Sequence, residues 1–124
     1  MPRILLLEDY PPLRRAQAVT LQRSGWQVVS ATSAEEALCR VAHDDFDVLL
    51  VDMDMVAGES WTVLQALNAN QDGPAVVVIF SSGSQRQRAI EVLGVKVSLR
   101  KPVNRETLLR GVTEALAETD MYAS

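Results

Sequence analysis

Reactive side chains follow four of the five apolar runs in this sequence. They are Glu8 and Asp9 after the first run, Asp52 and Asp54 after the third, Ser81 after the fourth and Lys101 after the last. A carboxylate such as Asp52, at the end of a strand, can be a metal ligand, a nucleophile or a helix N-cap. Parallel strands bring their carboxyl ends to one edge of a sheet, so we expect these side chains to converge there.

Three of these residues, Glu8, Asp9 and Asp52, carry carboxylates that would repel one another when brought together. At a near-surface dielectric each close pair costs about 4 kcal/mol. Lys101 alone does not offset that repulsion, whereas a divalent cation would. A ligand set made of oxygen atoms suits Mg²⁺, so the cluster predicts a magnesium site.

The elements that must position these residues alternate along the chain. Apolar, β-preferring runs predict strands over Arg3–Leu7, Gln27–Ala31, Phe46–Val51, Ala75–Phe80 and Val95–Leu99. Amphipathic stretches predict helices over Pro11–Ser24, from the capping box Ser33–Glu36 to His43, over Ser60–Asn70 and Gln85–Leu93, and after the cap Asn104. This alternation predicts an α/β fold in which helices cover both faces of a doubly wound, five-stranded parallel sheet.

Composition restricts the function classes. The chain has 124 residues, which is the size of one domain, and a net charge of −4, which disfavours a broad nucleic-acid-binding surface. No apolar run approaches the roughly 20 residues of a membrane span. Glu8 and Asp9 interrupt the only N-terminal apolar run, so we expect no secretory signal. Cys39 is the only cysteine, which excludes an internal disulfide and fits a cytoplasmic location.

Four segments in this order and spacing resemble the receiver domain of two-component response regulators. They are Ile4–Asp9 (Ile-Leu-Leu-Leu-Glu-Asp), Asp47–Asp52 (Asp-Val-Leu-Leu-Val-Asp), Val77–Ser81 (Val-Val-Ile-Phe-Ser) and Leu99–Pro102 (Leu-Arg-Lys-Pro). The match runs from Arg3 to about Ala117. The resemblance implies a flavodoxin-like sheet with strand order 2-1-3-4-5 and a cis Lys101–Pro102 bond. We therefore expect a receiver domain over residues 1–118 and a frayed tail over residues 119–124.

The resemblance also implies a role for each site residue. Asp52 would accept the phosphoryl group, and Lys101 and Ser81 would each contact a phosphoryl oxygen. Glu8, Asp9, Asp52 and the backbone carbonyl of Asp54 would hold Mg²⁺. Such a domain is a phosphoacceptor rather than a turnover enzyme.

The same resemblance implies partners. The phosphoryl donor would be a histidine kinase or a phosphotransfer protein, and the output would pass to an effector domain or a target protein. A homodimer would form through the fourth predicted helix, the fifth strand and the fifth helix. We expect no direct contact of this domain with nucleic acid or with a membrane.

Several positions depart from the family pattern. Val56 and Ser60 stand where a proline and a glycine are usual, although Gly58 can supply the turn. Residues 81–94 form a segment about two residues shorter than is common. Ser98 replaces the aromatic residue that usually moves inward on activation, so the usual switch is in doubt. Asp54 places an anion beside the incoming phosphoryl group, and we predict that it alters the lifetime of the acyl phosphate.

Two alternatives remain. The segment Val51–Val56 (Val-Asp-Met-Asp-Met-Val) also resembles the strand end of haloacid-dehalogenase-type phosphohydrolases, with Asp52 as nucleophile and Asp54 as acid/base. That family places its acid pair after the lysine, whereas Glu8 and Asp9 come first here. The second alternative is a receiver-like interaction module that is not productively phosphorylated.

Overall fold

The computed structural model describes residues 1–68, 73–81, 83, 87–88, 95 and 97–123. The strands are β1 (Arg3–Leu7), β2 (Gln27–Ala31), β3 (Val48–Asp52), β4 (Ala75–Phe80) and β5 (Val97–Arg100). The helices are α1 (Pro11–Arg23), α2 (Ala34–His43), α3 (Glu59–Asn68) and α4 (Arg105–Ala123), and a short 3-10 turn covers Val56–Gly58. In the described part of the chain, no helix is both long and apolar enough to cross a membrane.

The five strands form one parallel sheet in the order β2-β1-β3-β4-β5, which confirms the predicted doubly wound fold. In the register of the central strands, Leu7 of β1 pairs with Val51 of β3, and Asp52 pairs with Ile79 of β4. The residues that follow β1, β3, β4 and β5 therefore lie along one edge of the sheet.

The sheet separates two apolar layers because side chains alternate between its faces. On one face, Leu5, Leu7, Leu49 and Val51 pack with buried residues of α2 and α3. On the other face the partners come from α1 and α4, and this layer contains Ile4, Leu6, Val48, Leu50, Leu21, Leu108 and Val112. Every residue of β3 is buried, as expected for a central strand covered on both sides.

The helix starts follow from local chemistry. Pro11 occupies the first position of α1, where a missing N–H costs nothing. The Ser33 hydroxyl accepts the N–H of Glu36 at 3.2 Å, and the Asn104 amide oxygen accepts that of Thr107 at 2.8 Å. The capping box also predicts that the Glu36 carboxylate accepts the backbone N–H of Ser33. This prediction is wrong, because the carboxylate accepts from the hydroxyl and N–H of Thr32 instead.

Other boundaries also differ from the prediction. β3 begins at Val48 rather than Phe46, and β5 begins at Val97 rather than Val95. The C-terminal helix spans Arg105–Ala123, and no glycine or proline follows Gly111. The described residues contain four α-helices rather than five. Apart from Gln87 and Arg88, the predicted helix 85–93 lies outside the described residues.

Candidate functional site

Asp52, the last residue of β3, lies at the centre of the site. It is buried, with 5% of its surface exposed, because β1 and β4 flank the strand on both sides. Its Oδ1 accepts a hydrogen bond from the backbone N–H of Asp54 at 2.9 Å and lies 3.0 Å from Nζ of Lys101. The Ser60 hydroxyl donates to the backbone carbonyl of Asp52 and so ties the strand end to the first turn of α3. The carboxylate is therefore held in one orientation.

Glu8 and Asp9, at the end of β1, lie beside Asp52. One carboxylate oxygen from each of the three residues lies within 4.8 Å of the others. Glu8 is only 1% exposed, and its Oε1 accepts the backbone N–H of Tyr10 at 3.0 Å, whereas its Oε2 is buried and accepts no hydrogen bond from the described residues. When Glu8 is ionised, this buried oxygen has no donor, which is costly, and a cation would satisfy it. The carboxylate cluster and this oxygen fit a hard divalent cation such as Mg²⁺.

The pKa values of the buried carboxylates Glu8 and Asp52 shift in opposite directions. Burial, together with a hydrogen bond to Asp52 and charge repulsion from that residue, raises the pKa of Glu8 to about 8. Burial would also raise the pKa of Asp52, but hydrogen bonds from Glu8, the Asp54 backbone and Lys101 outweigh it and lower this pKa. Without a metal ion, Asp52 is therefore the ionised member of the pair at neutral pH and Glu8 carries the proton.

Lys101 and Ser81 reach the same place from the ends of β5 and β4, as predicted. Between them lies the Asp54 carboxylate, whose Oδ2 is 2.9 Å from Nζ of Lys101 and whose Oδ1 accepts the Ser81 hydroxyl at 3.0 Å. Burial would lower the pKa of Lys101, but its hydrogen bonds to Asp54 and Asp52 raise it, so the ammonium form is favoured. The Lys101–Pro102 peptide bond is cis, as the sequence resemblance implies.

The predicted site residues therefore converge, and the site contains two contacts that were not predicted from the sequence. For Asp54 we assigned a backbone carbonyl and a nearby charge, but we did not expect its side chain to join Lys101 to Ser81. Ser60, noted only as a departure from glycine, is buried and holds the strand end. Its position eight residues after Asp52, at the start of a helix, is the signal that could have indicated this role.

The loop between Asp54 and α3 is built from two left-handed residues. Ala57 has a φ of 58° and Gly58 a φ of 66°, so the expected turn at Gly58 begins one residue earlier. The next residue, Glu59, uses its Oε1 to accept the N–H of Ala34 at the start of α2, 3.2 Å away. This loop thus joins the end of β3 to two helices.

Fold and site together define a class: a doubly wound α/β protein with four carboxylates, a lysine and a hydroxyl at the carboxyl edge of its sheet. The sequence model described as the response regulator receiver domain matches residues 4–113. The chain therefore belongs to the response regulator receiver domain family of two-component systems.

Three related proteins are similar to this chain over nearly all of its length. The chain is 27% identical to the sensory/regulatory protein RpfC of Xanthomonas campestris over 98% of its own length and 18% of that protein's. It is 26% identical to the transcriptional regulatory protein GlrR of Escherichia coli, over 94% of the chain and 26% of GlrR. With protein PilH of Pseudomonas aeruginosa it shares 27% identity over 94% of the chain and 99% of PilH. The chain thus spans less than a third of RpfC and GlrR but nearly all of PilH.

Solved structures share the fold. The receiver domain protein (CheY-like) from Methanospirillum hungatei has a TM-score of 0.89 at 22% identity and covers 98% of both chains. The response regulator TrrA from Thermotoga maritima, in complex with Mg²⁺ and BeF, has a TM-score of 0.82 at 22% identity, over 94% of this chain and all of TrrA. At these identities the likeness supports the fold alone.

Proposed function

We propose that this domain accepts a phosphoryl group on Asp52 in a Mg²⁺-dependent reaction and thereby switches a partner-binding surface. The observation that carries the proposal is the convergence of the Glu8, Asp9 and Asp52 carboxylates, with the Lys101 ammonium 3.0 Å from Asp52. A nucleophile, a metal-ligand cluster and a cation are the parts that phosphoryl transfer requires.

Asp52 supplies the nucleophile. Two donors, the Asp54 N–H and Lys101, engage Oδ1, so we assign the attack to Oδ2. The new Oδ2–P bond forms as the bond from phosphorus to the donor breaks, and the electron pair leaves with the donor group. The lowered pKa of Asp52 keeps this carboxylate ionised and therefore nucleophilic at neutral pH.

Glu8, Asp9, Asp52 and the backbone carbonyl of Asp54 are the groups we assign to Mg²⁺. When bound, the ion would neutralise charge on the phosphoryl oxygens. Lys101 adds a second positive charge 3.0 Å from the buried Asp52 carboxylate.

Phosphorylation would change the contacts of Ser81 and Lys101. The phosphoryl group adds about −1.5 to −2 of charge and strong acceptor oxygens to the end of β3. Both side chains now bind the Asp54 carboxylate, so a phosphoryl oxygen would have to replace it. Because Ser98 has no ring to move, we assign the switch to the segments that carry Ser81 and Lys101.

Membership of the family places this domain in two-component signalling. We infer its phosphoryl donor, its output and its dimer surface. The donor would be a histidine kinase or phosphotransfer protein in the cytoplasm, and the output an effector domain or target protein. We assign the receiver unit to residues 1–118. A homodimer would use β5, α4 and the segment 85–93, and nucleic acid would not be contacted directly.

Intact mass spectrometry after incubation with acetyl phosphate and Mg²⁺ tests the proposal. The wild type should gain one phosphoryl group, and Asp52→Asn should gain none. Asp45→Asn, which removes the same charge from an exposed position, should be modified like the wild type. Equal modification of Asp52→Asn and the wild type would refute the assignment.

One observation favours a second candidate, an interaction module that is not phosphorylated. In the unphosphorylated protein the Asp54 carboxylate already binds the Ser81 hydroxyl and the Lys101 ammonium. These are the two groups that would bind the phosphoryl oxygens. If phosphodonors leave the wild type unmodified and beryllofluoride with Mg²⁺ changes no spectrum, this candidate replaces the first. A phosphohydrolase is disfavoured because the acids beside Asp52 come from the end of β1, and steady turnover of a phosphomonoester would reverse that judgement.

A further inference from the structure

A cleft lies between α1 and the segment that follows β5, and Lys101 is one of its lining residues. Its volume is about 420 Å³, which falls within the roughly 300–1,000 Å³ typical of small-molecule sites. The lining residues are Leu13, Gln17, Ile79, Lys101, Pro102 and Val103. Four of the six are apolar, so the walls are mainly hydrocarbon.

Gln17 is the unusual residue of this cleft. It lies one helical turn before Leu21 on the buried side of α1, and only 6% of its surface is exposed. Its Oε1 is buried and has no hydrogen-bond partner in the described part of the chain. A leucine or methionine would fill the same space without leaving an acceptor unsatisfied, and such buried acceptors are rare and costly. Gln17 Oε1 therefore lacks a hydrogen-bond donor, and a molecule bound in the cleft would supply one.

We propose that this cleft binds a small, uncharged molecule with an apolar body and one O–H or N–H group that donates to Gln17 Oε1. The apolar walls would receive the body of the ligand. A charged ligand would lose hydration without gaining a partner, because the carboxylates of Asp52 and Asp54 already engage the Lys101 ammonium.

Occupancy of the cleft should also affect phosphorylation, and this part rests on the proposed function of Asp52. A bound molecule would contact Lys101, whose ammonium lies 3.0 Å from the reacting carboxylate. A ligand that restricts the lysine side chain changes the free energy of the phosphorylated state relative to the unphosphorylated one. By linkage, phosphorylation would then change the affinity for the ligand by the same factor.

Phenol and anisole are a matched pair of probes, because they share a ring and an oxygen but only phenol has a donor. Backbone amide NMR titrations with each probe should show saturable shifts at Leu13, Gln17 and Lys101. We expect phenol to bind about tenfold more tightly than anisole, the value of one hydrogen bond. Gln17→Leu should abolish that difference. Without any probe, Gln17→Leu should raise the melting temperature, since an unsatisfied acceptor has been removed.

Several results would overturn the proposal. One is the absence of saturable shifts with either probe, and another is equal binding of phenol and anisole to the wild type. A lower melting temperature for Gln17→Leu would mean that water already satisfies Oε1, which also contradicts it. These measurements use no phosphodonor, so their failure leaves the role of Asp52 intact. The coupling is tested separately: saturating phenol should change the rate of phosphorylation by acetyl phosphate in the wild type, and Gln17→Leu should need about tenfold more phenol for the same change. A wild-type rate that saturating phenol leaves unchanged would refute the coupling.

Discussion

Asp54→Asn tests how the unphosphorylated site is held. The wild-type carboxylate joins Nζ of Lys101, at 2.9 Å, to the hydroxyl of Ser81, at 3.0 Å. A phosphoryl group, or beryllofluoride as its non-covalent analogue, must take both partners and also approach this negative charge. Asparagine keeps an oxygen that can accept from Ser81 but removes the charge. The substitution should therefore favour the phosphoryl-bound state.

The magnitude follows from the geometry. Two unit charges 4 Å apart interact by about 4 kcal/mol at an effective dielectric of 20. The side chains of Lys101 and Asp54 are 28% and 24% exposed, so solvent screens part of that interaction. We expect a net change of about 1–3 kcal/mol, which corresponds to a roughly 5- to 150-fold tighter binding of beryllofluoride with Mg²⁺.

Fluorescence or NMR titration with beryllofluoride at fixed Mg²⁺ measures this change. Asp45→Asn is the matched control because it removes one negative charge from an exposed position away from the site. Its affinity should stay near the wild-type value, since solvent and salt screen distant surface charges. If Asp54→Asn binds no more tightly than Asp45→Asn, the carboxylate does not compete with the phosphoryl group. Dephosphorylation should also change rate in Asp54→Asn, and an unaltered rate would remove our prediction about the acyl-phosphate lifetime.

Three further predictions concern stability and can be measured by chemical denaturation. Ala57→Gly should stabilise the protein by up to about 1 kcal/mol, because alanine is strained at a φ of 58°; a loss of stability would contradict this. Asn104→Ala should cost about 1 kcal/mol through loss of the cap on α4, and an unchanged midpoint would show that the cap contributes nothing. In metal-free protein, the raised pKa of Glu8 means that the folded state holds a proton that the unfolded state releases. The free energy of unfolding should therefore fall as pH rises from about 4.5 to about 8, by no more than about 1.4 kcal/mol per pH unit. Glu8→Gln should flatten this pH profile. An equally steep decline in that variant would contradict the reasoning.

The strands and the main site residues were predictable from short-range patterns. β4 was predicted with its observed bounds because its apolar run is uninterrupted. Glu8, Asp52 and Lys101 could be placed together because parallel strands all direct their carboxyl ends to one edge. No distance information was needed for that inference, since topology alone brings distant residues together.

The remaining contacts depend on backbone geometry that residue types do not specify. The loop that follows Asp54 has a left-handed residue at Ala57, and alanine does not favour that conformation, so its residue types do not predict the turn. The partner of Glu36 changed from the Ser33 backbone to Thr32 because two nearby donors compete for one carboxylate. Likewise, a glutamine in the polar sequence of α1 carries no signal that it will be buried.

Localisation of the phosphoryl group tests the central claim most directly. Borohydride reduces an aspartyl phosphate to homoserine, so peptide mass spectrometry identifies the residue that carried the group. After incubation with acetyl phosphate and Mg²⁺, the account predicts homoserine at position 52, and none when the metal is removed with a chelator. Homoserine at another aspartate, or equal conversion without Mg²⁺, would contradict it.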